Sequence, residues 1–251
     1  MLVAPLNNPG LSAEAVTYAT KALQLIESGK TIDDWDPLPS KDVAVAYLNY
    51  TIGSLTLQKD PAAALKNLIK AAQFETPLKK SPYTYAYIAG AYETGPYAKQ
   101  SEAYKQLYSG KDETPESKLA LANINQIVDR MIDAYARAVA LAGTDTKFTA
   151  QKPVWQESLT TWYKFRNADK TDGMNELVAG ILAKPLPPEP TPITVLPAAP
   201  APTNVTGTNG ANTTPTTTPG TPAPKPTPTG TPATTPTKPA STKPDRPRNR
   251  R

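Results

Sequence analysis

The sequence predicts an all-α protein: antiparallel helical hairpins stacked as a short α-solenoid over residues 11–184, then a disordered Pro/Thr-rich tail over 185–251. Three observations carry this expectation. Apolar residues recur at spacings of 3 and 4 through the N-terminal part of the chain, the period of a helix with one buried stripe. Small residues sit where two such stripes would meet, at Gly53 with Ala64, Leu68 and Ala71, and at Ala89 followed by Gly95-Pro96-Tyr97. From Pro185 onward the chain is Pro, Thr, Ala and Gly with almost no large apolar residue after Leu196, so nothing there can build a core.

Composition narrows the function classes. All 12 tyrosines and all 3 tryptophans lie before Pro185, which puts the core in the N-terminal part. The tail carries Lys225, Lys238, Lys243, Arg246, Arg248, Arg250 and Arg251 against Glu189 and Asp245, so the chain's net charge of +5 resides there. The remainder is balanced and offers no electrostatic reason to expect a nucleic-acid-binding face. Cysteine and histidine are both absent. That removes thiol nucleophiles, thiolate and imidazole metal ligands, disulfides, and the side chain most often used for proton transfer near neutral pH. No stretch approaches the ~20 apolar residues of a membrane span, and Met1-Leu-Val-Ala-Pro-Leu lacks the basic start of a secretory signal.

The elements follow in order. Helix one spans 12–28, opened by Ser12 and stopped by Gly29, with Val16, Ala19, Leu23 and Ile26 on one face. The loop 31–40 contains Asp33-Asp34-Trp35-Asp36-Pro37 and is irregular because Pro37 and Pro39 interrupt any regular ladder. Helix two spans 41–58 on Val45, Leu48, Ile52 and Leu55. Helix three opens on Asp60-Pro61, a cap followed by a first-turn proline, and runs to Pro77 on Leu65, Leu68, Ile69 and Ala72. So short a link forces helices two and three to lie antiparallel.

Helix four starts at Ser81-Pro82 and carries Tyr85, Ile88, Ala89 and Tyr92 until Gly95-Pro96 ends it; helix five returns over 98–108 with Ala103, Tyr104 and Leu107 as a second hairpin. Thr114-Pro115 caps the longest periodic segment, marked by Ile124, Ile127, Val128, Met131, Ala134, Tyr135, Ala138 and Leu141 through to Gly143. At ~1.5 Å per residue it is about 40 Å long. Asp133 and Arg137, four apart, are expected to face solvent as a weak pair worth a few tenths of a kcal/mol, about 0.3. Two last helices, 153–167 and 172–183, bring Trp155, Leu159, Trp162, Tyr163, Leu177 and Ile181 to close the end of the stack.

At Ile88-Ala89-Gly90-Ala91-Tyr92-Glu93 with Gly95-Pro96-Tyr97 the chain resembles the tetratricopeptide repeat, and Ile52-Gly53 with Ala64, Leu68, Ala71 and Pro77 looks like a second copy. The copies lie about 36 residues apart where that family repeats every 34. Gln100 stands where a small residue is expected, and Thr56 where the other copy has Tyr92. The resemblance covers roughly residues 41–108 and implies a groove, lined by the first helix of each hairpin, that accepts an extended peptide or a partner helix. Helix one looks like the second helix of an earlier repeat, which points to the C-terminal portion of a longer parent protein, periplasmic or secreted; the alternative is that the protein simply starts here. A helical repeat body with a Pro/Thr-rich tail also resembles bacterial envelope proteins of this layout.

Candidate sites are few. Tyr83, Tyr87 and Gly90 share a face of helix four distinct from that of Tyr85, Ile88 and Tyr92, so they are a candidate partner-binding face; the alternative is that both faces are core. The acidic set at 33–36 lacks the Gly and the distal Glu of a calcium loop and reads as solvated. No catalytic, cofactor-binding or metal-ligating residue emerges. The function expected is a non-enzymatic protein-interaction scaffold with no cofactor and the tail as spacer. The other reading is a structural or surface-anchoring protein acting through the basic tail, whose Arg246-Pro-Arg248-Asn-Arg250-Arg251 end suits weak contact with an anionic polymer.

Overall fold

In the computed structural model, residues 9–30, 35 and 38–195 are described. Most of the acidic set at 33–36 and the tail beyond 195 lie outside them; Trp35 itself is half-buried, its carbonyl accepting from the Leu38 amide at 2.7 Å. The protein is all-helical, with no strand among the described residues. After a short 3-10 turn, Pro9–Leu11, the helices are α1 Ser12–Glu27, α2 Lys41–Thr56, α3 Pro61–Gln73, α4 Pro82–Tyr92, α5 Ala98–Tyr108, α6 Pro115–Ala142, α7 Lys152–Arg166 and α8 Met174–Gly180.

Local signals account for most boundaries. Ser40 Oγ accepts from the Val43 amide at 3.3 Å to open α2, and Asp60 Oδ1 accepts from the Ala63 amide at 3.0 Å to open α3. Thr114 and Ser117 form a reciprocal capping box at the start of α6. Gly29, at φ +82°, ends α1 with its amide on the Ile26 carbonyl and the Lys30 amide on that of Leu25.

The first hairpin is as the sequence predicts. An added Cβ on Gly53 would stand 2.6 Å from Leu68 Cγ and 3.0 Å from the Ala64 carbonyl oxygen, so α2 and α3 touch where only glycine fits. The second hairpin differs. Gly95-Pro96 does not turn the chain back: Glu93–Tyr97 is a π-helical turn, its flanking residues Tyr92, Glu93, Tyr97 and Ala98 all in the right-handed helical region. Helix therefore continues from residue 82 to 108, and α4 and α5 do not pack on each other. Pro96 has no amide hydrogen and its ring crowds the carbonyl four residues back; widening the turn by one residue relieves both problems without ending the helix.

The arms of the second hairpin are thus 82–108 and α6, joined through 109–114. Their pairing is antiparallel: Tyr104 and Ala120 line one groove, Glu93 meets Tyr135, and Tyr85 meets Arg137. Along the stack α1 packs on α2, α2 on α3, α3 on α4, α4 on α6 and α6 on α7. Leu68, Ile88, Val128, Met131, Leu159 and Ile181 are buried at its centre. Gly95 keeps a structural duty: its added Cβ would lie 3.0 Å from Pro61 Cβ, so the π-turn rests on the first residue of α3.

Paired glycine substitutions test this arrangement. Gly53→Ala overpacks the α2–α3 seam at a cost of about 1–3 kcal/mol, which exceeds the ~1 kcal/mol that Ala gains over Gly inside a helix. Gly90→Ala meets nothing within 4 Å, so only the helix gain remains. Urea unfolding is expected to show a lower midpoint for the first variant and a higher one for the second.

Candidate functional site

Tyr83, Tyr87 and Gly90 share one face of α4, but the two tyrosines are engaged by their own chain. Tyr83 stands edge-on to Trp155 at 5.4 Å between centroids and to Phe148 at 5.8 Å, and lies 6.2 Å from Tyr87, which in turn meets Tyr50 at 6.0 Å. This aromatic seam ties α2, α4, the 3-10 turn Thr146–Phe148 and α7 together, and burial raises the hydroxyl pKa of Tyr87 and of Tyr50. Both Tyr83 and Tyr87 are half-buried, and Gly90 leaves an open notch one turn further on.

A second surface forms where the sequence placed a packed hairpin. Beyond the π-turn, α5 buries no residue at all. Between α5 and α6 lies an open groove of about 310 Å³ lined mainly by Ala103, Tyr104, Leu107 and Tyr108 of α5 and by Ala120 and Ile127 of α6. Leu107 is 56% exposed, and the rings of Tyr104 and Tyr108 stand 5.2 Å apart, one helical turn from each other. The sequence named Ala103, Tyr104 and Leu107 as a packed face; the wide turn at Pro96 leaves them on a groove wall.

The other wall is Pro190, Thr191 and Pro192, from a segment the sequence assigned to the tail. Residues 184–193 instead run as a strap along α6, antiparallel to it. Arg137 donates to the carbonyls of Lys184 and Pro185 at 3.0 and 2.8 Å, and Arg130 Nε to that of Pro188 at 2.6 Å. Gln126 donates to the Thr191 carbonyl at 3.0 Å. Asn123 closes the strap reciprocally, its Nδ2 donating to the Ile193 carbonyl at 3.0 Å and its Oδ1 accepting from the Ile193 amide at 2.7 Å.

These donors sit at 123, 126, 130 and 137, one stripe of the helix. The stripe spans about 21 Å at 1.5 Å per residue. The strap from 185 to 193, extended at ~3.1 Å per residue, spans about 25 Å, so the two run side by side with little slack. A proline-rich strand presents mostly carbonyls, and α6 answers with side-chain donors.

Arg137 is the anchor, and it corrects the expected surface pair. Its side chain is 5% exposed and Asp133's 17%; Nε donates to Oδ1 at 2.7 Å, and the guanidinium lies 5.8 Å above the Tyr85 ring. The periodicity showed the spacing of this pair and could not show that the strap would cover it. A second buried polar contact marks the π-turn. Tyr135 Oη donates to Glu93 Oε2 at 2.9 Å. Burial outweighs the lowering effect of Tyr135 and of the nearby Trp162 and raises the Glu93 pKa, while burial and the neighbouring carboxylate raise that of Tyr135.

Among the described residues no group of three or more Asp or Glu stands close enough to hold a metal ion, and no helix is long and apolar enough to cross a membrane. Comparison with protein-family models, with curated proteins and with solved structures finds no match to this chain.

Arg137→Ala leaves Asp133 without its partner and two strap carbonyls without a donor. Urea unfolding is expected to show a loss of about 3 kcal/mol, with faster hydrogen exchange along 186–193. Glu93→Gln keeps an acceptor for Tyr135 and removes the charge. A carboxyl whose folded pKa lies above its unfolded value lowers stability as pH rises from the unfolded to the folded pKa. The variant is therefore expected to unfold at higher urea than the native chain near neutral pH, and the difference to vanish below about pH 4.

Proposed function

We propose that this chain is a non-enzymatic protein-interaction scaffold whose helical body holds a partner peptide in the groove between α5 and α6, with the Pro/Thr-rich C-terminal region as a spacer. The observation that carries the reading is α5 itself: a helix of 11 residues with none buried, presenting Ala103, Tyr104, Leu107 and Tyr108 to an open apolar groove. Half-exposed aromatic and aliphatic side chains on a rigid helix bury much area on docking while few torsions are frozen. The groove lies at the low end of the ~300–1,000 Å³ range of ligand pockets, which suits a short peptide side-on. The tetratricopeptide-like packing of the first hairpin, at Gly53 with Ala64 and Leu68, agrees with a role of this class. The net charge confined to 185–251 favours a second reading, attachment to an anionic surface through that region.

A library of displayed peptides panned against the full chain tests the leading reading. Binders are expected, and Leu107→Asp, at an exposed position, is expected to abolish their capture while the far-ultraviolet circular dichroism stays unchanged. A library yielding no binders, or binders indifferent to Leu107→Asp, overturns it. Binding to anionic vesicles that is lost with residues 196–251 would favour the second reading.

A further inference from the structure

We infer that the occupant of the α5–α6 groove is an extended, proline-rich segment of another polypeptide, held in polyproline II form; this rests on the scaffold reading above and names the chemistry of its partner. Hydrogen bonding decides between the two kinds of peptide a helical groove can hold. A helix spends all but its last carbonyls on its own amides, whereas a polyproline II strand carries no internal hydrogen bonds, so every carbonyl is free to be met from outside.

The surroundings match that chemistry. One wall of the groove is already a proline-rich strand, Pro190-Thr191-Pro192, fixed to α6 through its carbonyls, so a second strand of the same kind would extend an interface the fold has built. The facing wall offers the Tyr104 and Tyr108 rings side by side, 5.2 Å between centroids, as an apolar surface for the proline rings on one face of such a strand. Donors remain as well. Asn123 and Gln126 are committed to the strap, whereas the Gln100 carboxamide and the two tyrosine hydroxyls line the groove with no hydrogen bond to another described residue. A proline-rich strand is already ordered before it binds, so little freedom is lost on docking.

The C-terminal region has a stretch that could compete. Pro224-Lys225-Pro226-Thr227-Pro228 repeats the strap's Pro188-Glu189-Pro190-Thr191-Pro192 with one charge reversed. The test has to separate this internal sequence from an external partner.

Fluorescence anisotropy with the full chain uses two labelled synthetic peptides, one of alternating threonine and proline and one alanine-rich and helical. The alternating peptide is expected to bind, to lose affinity on the order of tenfold with Tyr104→Ala or Gln100→Ala, and to be unaffected by Tyr83→Ala on the seam. Binding of the helical peptide alone overturns this inference and leaves the scaffold reading standing. Binding of the alternating peptide only after Pro222, Pro224, Pro226 and Pro228 are replaced by Ala would show the chain's own sequence as the occupant and overturn an external partner. Binding of neither peptide by either form, together with failure of the displayed library, overturns both readings.

Discussion

Proline at position 96 is the constraint from which the architecture follows. A residue without an amide hydrogen inside a helix must either end it or loosen it, and here the turn Glu93–Tyr97 loosens to a π-turn. Because the helix goes on, α4 and α5 are successive stretches of one arm and cannot face each other. Their common partner becomes α6, and the reversal moves to 109–114. The half of the arm beyond the π-turn then extends past the region where α3 and α7 supply cover, so its apolar side chains line an open surface. A groove thus arises from a backbone defect absorbed without breaking the element that contains it.

The strap answers a related problem with side chains. Proline-rich chain cannot join a helix or a sheet ladder, because too few of its residues can donate. It can still be fixed if something else donates, and the stripe at 123, 126, 130 and 137 does so along one face of α6. The opposite face of the same helix buries Ile124, Val128, Met131 and Tyr135. A single 28-residue helix therefore serves as a core element and as the bed for an extended strand.

How much of this was legible in the sequence divides by range. The all-helical class, the caps at Asp60 and Thr114, the stop at Gly29 and the close approach at Gly53 were readable, because each depends on residues within a turn or on one small residue in a periodic stripe. Gly95-Pro96 misled for a physical reason: the pair terminates most helices, and its tolerance here depends on α6 and the start of α3 holding both sides of the π-turn. Arg137 misled likewise, since spacing reveals a neighbour four residues away and says nothing of carbonyls 47 and 48 residues downstream. Of the candidate face, Tyr83 and Tyr87 were correctly paired by their spacing, yet their ring partners Phe148 and Trp155 come from far along the chain. Tyr104 and Leu107 were visible as an apolar face; their openness to solvent was not.

The order of the strap's attachments has a kinetic consequence. Its contacts grow more distant in sequence along its length, from 47 residues between Arg137 and Lys184 to 70 between Asn123 and Ile193. Closing the first loop carries most of the entropic cost, and each later contact adds only a small increment, because the intervening chain has already been brought close. Assembly is thereby biased to zip from the Arg137 end toward Asn123, and release to peel from the opposite end, nearest the groove.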